Sequence, residues 1–177
     1  MIDVAWRSLE TDSIERLRLT SDLELRAVSM ISQGEQATRY EVVLGSDWRV
    51  RSLEVESTQG GSLHLVSDGQ GGWTVGGHER PDLTDAVDLD FVLTPFTNSL
   101  PIHRLALEVG ASAEITVAWV DFPSLEVAPA AQRYTRLAER EWRFESLDGD
   151  FTRDITVDEK GLVVDYPGLF ERVDGTA

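Results

Sequence analysis

An all-β fold, built as a long antiparallel meander with at most short helical turns, is what the sequence predicts, on three observations. Apolar and polar residues alternate with period two through much of the chain, turn dipeptides separate the alternating runs, and helical periodicity is scarce. The alternation begins at Leu17, Leu19, Leu23 and Leu25, which Arg, Glu, Asp and Thr mostly separate. It continues through Arg39 to Leu44, Trp48 to Val55 and Leu63 to Val66, after which Asp68-Gly69 and Gly71-Gly72 are hairpin signals. Further strands are expected at Val87 to Leu93, His103 to Val109, Glu114 to Val120, Gln132 to Leu137, Glu141 to Leu147, Phe151 to Val157 and Leu162 to Tyr166. Leu9 to Leu17 reads as strand or turn. A short helical turn is expected near Asn98 to His103, capped by Asn98 or Ser99, with Pro101 in its first turn. So many short strands make a sandwich, barrel or roll.

The 177 residues suit one domain, 1–177, able to bury roughly 70% of its unfolded surface, and no polar linker divides it. A chain with 32 acidic and 16 basic residues, net charge -16, repels phosphate backbones and anionic membranes, so nucleic acid is not an expected partner. These charges are spread along the strands, as on a solvated surface. Zero cysteines exclude disulfides and thiolate metal sites. The first residues show neither a basic nor a long apolar signal region, and no apolar run reaches the roughly 20 residues of a membrane helix; a cytoplasmic location is expected.

A shift of 94 positions lays Ala37-Thr38-Arg39-Tyr40 on Ala131-Gln132-Arg133-Tyr134 and Trp48 to Leu53 on Trp142 to Leu147, with seven identities from Ala37 to Leu53. This reads as an internal duplication with cores at 37–69 and 131–161, two related meanders whose termini would lie on separate sheets. Alternation sends Arg39 and Tyr40, and likewise Trp48 and Arg49, to opposite faces. The tyrosines and tryptophans are then core aromatics with outer arginine ion pairs, or cavity walls with an inward arginine for a ligand's head.

Catalytic signals are weak. His64, His78 and His103 are far apart and form no metal motif, so no metal or cofactor is expected. Asp88-Leu89-Asp90 places two carboxylates on one strand face, a spacing compatible with glycosidase or divalent-metal chemistry but more commonly the wet face of a strand with Val87, Leu89 and Phe91 inward. No nucleophile elbow or phosphate loop is present. The apolar, proline-punctuated stretch Leu93 to Leu105 breaks the ladder and must cross or cover a sheet, as a core plug or a cavity lid.

That stretch, Thr94-Pro95-Phe96-Thr97-Asn98-Ser99-Leu100-Pro101-Ile102-His103-Arg104-Leu105, resembles the signature of the bacterial putative glycolipid-binding family. Tyr40 with Trp48 to Arg51, Asp88 to Asp90, Gln132 to Tyr134, and Val157-Asp158 followed by Gly161 to Phe170 agree with it. The resemblance spans nearly the whole chain. It implies a spiral β-roll or open barrel, similar to lipoprotein localisation factors, enclosing an apolar cavity. Two departures are that those carriers work outside the cytoplasm, whereas no export signal is visible here, and that His103 stands where the family commonly has Arg.

The function this implies is non-enzymatic binding or carriage of an amphipathic molecule, a glycolipid or related lipid. Wall candidates are Tyr40, Trp48, Trp73, Trp119, Tyr134 and Trp142, with Arg39, Arg133 and Arg104 for a polar or phosphorylated head. The alternatives are a sugar- or lipid-acting enzyme using Asp88, Asp90 and His103, or a scaffold, for instance a homodimer, whose interior is solid.

Overall fold

A computed structural model describes residues 1–22 and 24–173, so Leu23 of the first alternating run lies outside the described residues. The chain's first half lays down β1 (Ile2–Ser8), β2 (Ile14–Ser21), β3 (Leu25–Gln33), β4 (Gln36–Leu44), β5 (Val50–Ser57), β6 (Gly61–Ser67), β7 (Trp73–Val75) and β8 (His78–Glu79). The second lays down β9 (Ala86–Phe91), β10 (Ser112–Val120), β11 (Val127–Arg136), β12 (Glu141–Ser146), β13 (Thr152–Val157), β14 (Val163–Tyr166) and β15 (Phe170–Arg172). All belong to one continuous sheet, in the order β8 to β1, then β15 back to β9.

β1 and β15 pair antiparallel through Trp6 with Arg172, Arg7 with Glu171 and Ser8 with Phe170. The expectation that the termini lie on separate sheets is thereby corrected. Each strand satisfies the edge that the other would otherwise leave unpaired. The outermost strands β8 and β9 do not pair, so the sheet stays an open roll rather than a closed barrel. β9 instead packs against β5 inside the curl. One pair departs from the antiparallel meander: β9 and β10 run parallel, as their long crossover demands.

That crossover carries the proline-punctuated stretch. Pro95–Asn98 forms a 3-10 turn that runs into the helix α1 (Ser99–Leu105). Its cap is Thr94, whose side chain accepts the Phe96 N–H, rather than Asn98 or Ser99, because the helical path starts four residues earlier than the sequence suggests. The strand expected at His103 to Val109 is absent. α1 runs through Leu105 and ends where Ala106 turns left-handed (φ 45°), leaving residues 106–111 as a loop. Thr94 to Ile102 are all buried, which makes the stretch a plug. Phe96 and Leu100 join a first core with Trp6, Tyr40, Leu53, Leu89 and Phe91. Ile102 joins a second with Tyr134, Trp142, Phe144, Ile155 and Tyr166. Each such side chain contributes about 1.5–3 kcal/mol through burial.

Across the 94-residue shift both tyrosines are fully buried, but their cross-strand registers differ. Tyr40 faces Val55 across its strand pair, while Tyr134 faces Phe144. Trp142 lies within β12, whereas Trp48 sits in the turn before β5 at φ 64°.

Candidate ligand cavity

Side-chain alternation on β9 positions the site. Leu89 and Phe91 enter the first core, so Asp88 and Asp90 point the opposite way, toward the second half of the roll. Trp119 lies opposite Asp90 on β10, and Val117 opposite Asp88. Beyond them β11 presents Ala130 and Gln132, and β12 presents Phe144 and Ser146. The plug closes the inner end with Thr94 and Asn98, and Phe151, Tyr166, Leu169 and Phe170 complete a largely aromatic wall. The volume of this open-mouthed cavity is about 580 Å³, inside the roughly 300–1,000 Å³ range of small-molecule sites. Exposed Glu10, Val92, Pro129 and Asp148 mark the mouth, while buried Thr94, Asn98 and Gln132 mark the floor.

The floor is polar and preorganised. Asp90 accepts from Gln132 Nε2 at 2.7 Å and from Thr97 Oγ1 at 3.2 Å. Burial raises the Asp90 carboxyl above its ordinary value, and those two donors pull it back only in part. Tyr134 donates its hydroxyl to Asn98 Oδ1 at 2.9 Å, so the buried phenol orients the amide on the floor. Gln132 is 3% exposed, and its Oε1 has no hydrogen-bond partner. No Lys or Arg is among the described residues that line the cavity. Arg153 comes near, with its guanidinium 4.7 Å from the Phe151 ring centroid, but its Nε is committed to the Pro167 carbonyl.

A crystal structure of a DUF1089 family protein from Pseudomonas aeruginosa has the same fold, with a TM-score of 0.81 and 38% sequence identity over 91% of this chain and 92% of that one. No curated protein matches. The family model described as putative glycolipid-binding matches residues 3–172. The chain belongs to that family. The family's description supports glycolipid binding at the level of the family, and the chain is an all-β roll.

Within the roll the nine sequence candidates are dispersed. Trp119 lines the cavity, and Tyr134 acts on it from behind through Asn98. Tyr40 lies in the first core, where it donates to Glu15 and meets Thr94 Oγ1 at 3.1 Å. Trp142 is buried in the second core beside Arg136. Trp73 is buried near the β7 edge with Nε1 donating to the Ala86 carbonyl. Trp48 stacks on His103, centroids 3.6 Å apart and planes within 6°. Arg39 pairs with Glu41, and Arg133 with Glu114 and Glu145, as outer ion pairs; a strand's second face is solvated, so alternation carries them away from the interior. Arg104 is held by Asp88, with Nε 2.9 Å from Oδ1.

The acidic pair is not the wet face of a strand. Asp88 is fully buried and Asp90 half-buried, because β9 is rolled inside the curl and both its faces are covered. Among the described residues, Asp88 and His103 do not line the cavity that Asp90 faces. Asp90 faces the one just described, Asp88 is neutralised by Arg104, and His103 lies between Trp48 and the Lys160 carbonyl. Gln132, Asn98, Phe144, Phe151, Tyr166 and Phe170 went unnamed as site residues in the sequence reading. Phe144 and Gln132 share an alternating face with Trp142 and Tyr134, a signal that could have found them. The plug's Asn98 gives none, since its approach to Tyr134 spans 36 residues of chain.

Proposed function

We propose that the protein binds an amphipathic molecule, a glycolipid or related lipid, without catalysis, in the cavity between the plug and strands β9 to β15. The observation that carries this reading is the two-sided lining of one cavity: an aromatic wall of Phe144, Phe151, Tyr166 and Phe170 beside the polar floor of Asp90, Asn98 and Gln132. An aliphatic chain laid on that wall gains about 0.8 kcal/mol for each methylene removed from water, enough to hold a ligand with no chemical step. Asp88 is paired with Arg104 and His103 is stacked on Trp48, while Asp90 alone lines the cavity, which argues against an enzyme that would require acid, base and substrate within reach of one another. The first core is packed, as a scaffold would require, but the second half is not filled. Extraction of the natively purified protein followed by mass spectrometry tests the proposal. A bound amphiphile in near-stoichiometric amount is expected. A lipid-free preparation that also shows no tryptophan-fluorescence response to fatty acids or glycolipids would refute it.

A further inference from the structure

The floor of the cavity carries a more specific statement, one that rests on the amphiphile reading above. We propose that the ligand enters head first, and that its head is neutral and hydroxyl-rich, with hydroxyl groups donating to Gln132 Oε1 and to Asp90 while the tail lies toward the mouth.

Three observations carry this. First, Gln132 spends its Nε2 donor on Asp90, which fixes the amide orientation and leaves Oε1 as a buried acceptor with no partner. Buried acceptors are rarely left unpaired, because the lost hydration is not recovered, so a donor supplied from the cavity is the missing complement. Second, each Asp90 oxygen accepts one protein hydrogen bond, Oδ1 from Thr97 and Oδ2 from Gln132, and retains a further lone pair for a second donor. A pair of neighbouring hydroxyls meets that demand, and a phosphate or carboxylate does not. Third, no Lys or Arg is among the described residues that line the cavity, whereas Asp90, Glu10 and Asp148 all do, so an anionic head would meet only like charge. The three arginines that could have taken a phosphate are held by carboxylates elsewhere.

Orientation follows from depth. The polar groups are on the buried floor, while half-buried Trp119, Phe151 and Leu169 and exposed Val92 rise toward the mouth. A hydroxylated ring inserted first would have aromatic faces available for stacking beside its acceptors, and its tail would leave along Trp119, Phe151 and Leu169 and over Val92 and Pro129, between the exposed carboxylates of Glu10 and Asp148.

Three probes with one dodecyl tail separate the outcomes: dodecyl glucoside, dodecyl phosphate and a dodecyl polyoxyethylene ether, each titrated calorimetrically below its micellar concentration. The glucoside is expected to bind at least about tenfold more tightly than either of the others. Gln132→Met should weaken the glucoside about fivefold and leave the ether unchanged. Asp90→Asn should strengthen dodecyl phosphate relative to the native chain, a gain that a misfolded variant would not show. Equal binding of all three probes, or preference for the phosphate, would overturn the subsite and leave the amphiphile reading standing. The subsite would also fall if Gln132→Met changed ether and glucoside alike while Asp90→Asn brought no gain for phosphate. Binding of none of the three would overturn the subsite together with the reading on which it rests.

Discussion

Tyr134 on β11 and Asn98 in the plug meet 2.9 Å apart, the phenol donating to the amide oxygen, so the cavity floor is tied to the sheet by a hydrogen bond between two buried groups. Tyr134→Phe keeps the ring packed against Phe144 but leaves Asn98 Oδ1 without that donor. The expected cost is about 1–3 kcal/mol, the penalty of an orphaned buried acceptor, read as a lower urea midpoint at unchanged slope.

Glu15 makes stability pH-dependent. It is 3% exposed, and burial pushes its carboxyl up to about 7 against the donors Tyr40, Ser29 and Thr94. The native state therefore holds this proton where the unfolded chain has released it. The associated stability is fully present below about 4.5 and is lost as pH rises through about 7, a decline of about 3 kcal/mol. Urea titrations from pH 4.5 to 8 should show this fall in the native chain. Glu15→Gln, which cannot ionise, should flatten it.

Half-buried Arg104 and fully buried Asp88 form a bidentate pair, with burial raising the Asp88 carboxyl and the guanidinium opposing it. Arg104→Ala strands a fully buried carboxylate and should destabilise the fold by about 3–5 kcal/mol. The double replacement Arg104→Met with Asp88→Leu should cost less than Arg104→Ala alone, since no charge is left uncompensated. Chemical denaturation of the two variants provides the comparison.

Gly161 has φ +67°, and a Cβ there would lie 2.7 Å from His103 Nε2. Gly161→Ala should cost about 1 kcal/mol or more from backbone strain alone. It should also displace His103 from the Trp48 ring, which a shift in the emission of Trp48 would report in a chain whose other tryptophans are replaced by Phe.

Period-two alternation carries most of the strands because each turns one face to a core. β4 shows the pattern fully, with Thr38, Tyr40, Val42 and Leu44 buried. β7, β8 and β15 are three, two and three residues long and too short to show a period. Within the site, the acidic pair was visible, but its burial was not. That depends on β9 being rolled against β5, a contact between residues far apart in the chain. Large aromatic side chains bury most area in a packed core, and Tyr40, Trp73 and Trp142 are buried there, while the cavity falls to residues whose neighbours leave space. Trp48 followed neither rule, because its left-handed backbone removes it from the alternation.

If the ligand sits in the space beside β9 to β15, filling that space abolishes binding. Ala130 is half-buried on the cavity wall, so Ala130→Trp would occupy the volume from a position outside both cores. Titration of the delipidated native chain and of this variant with dodecyl glucoside, with circular dichroism to verify folding, is predicted to give saturable one-to-one binding to the native chain and none to the variant. Equal affinity of the two folded proteins would place the ligand outside this cavity.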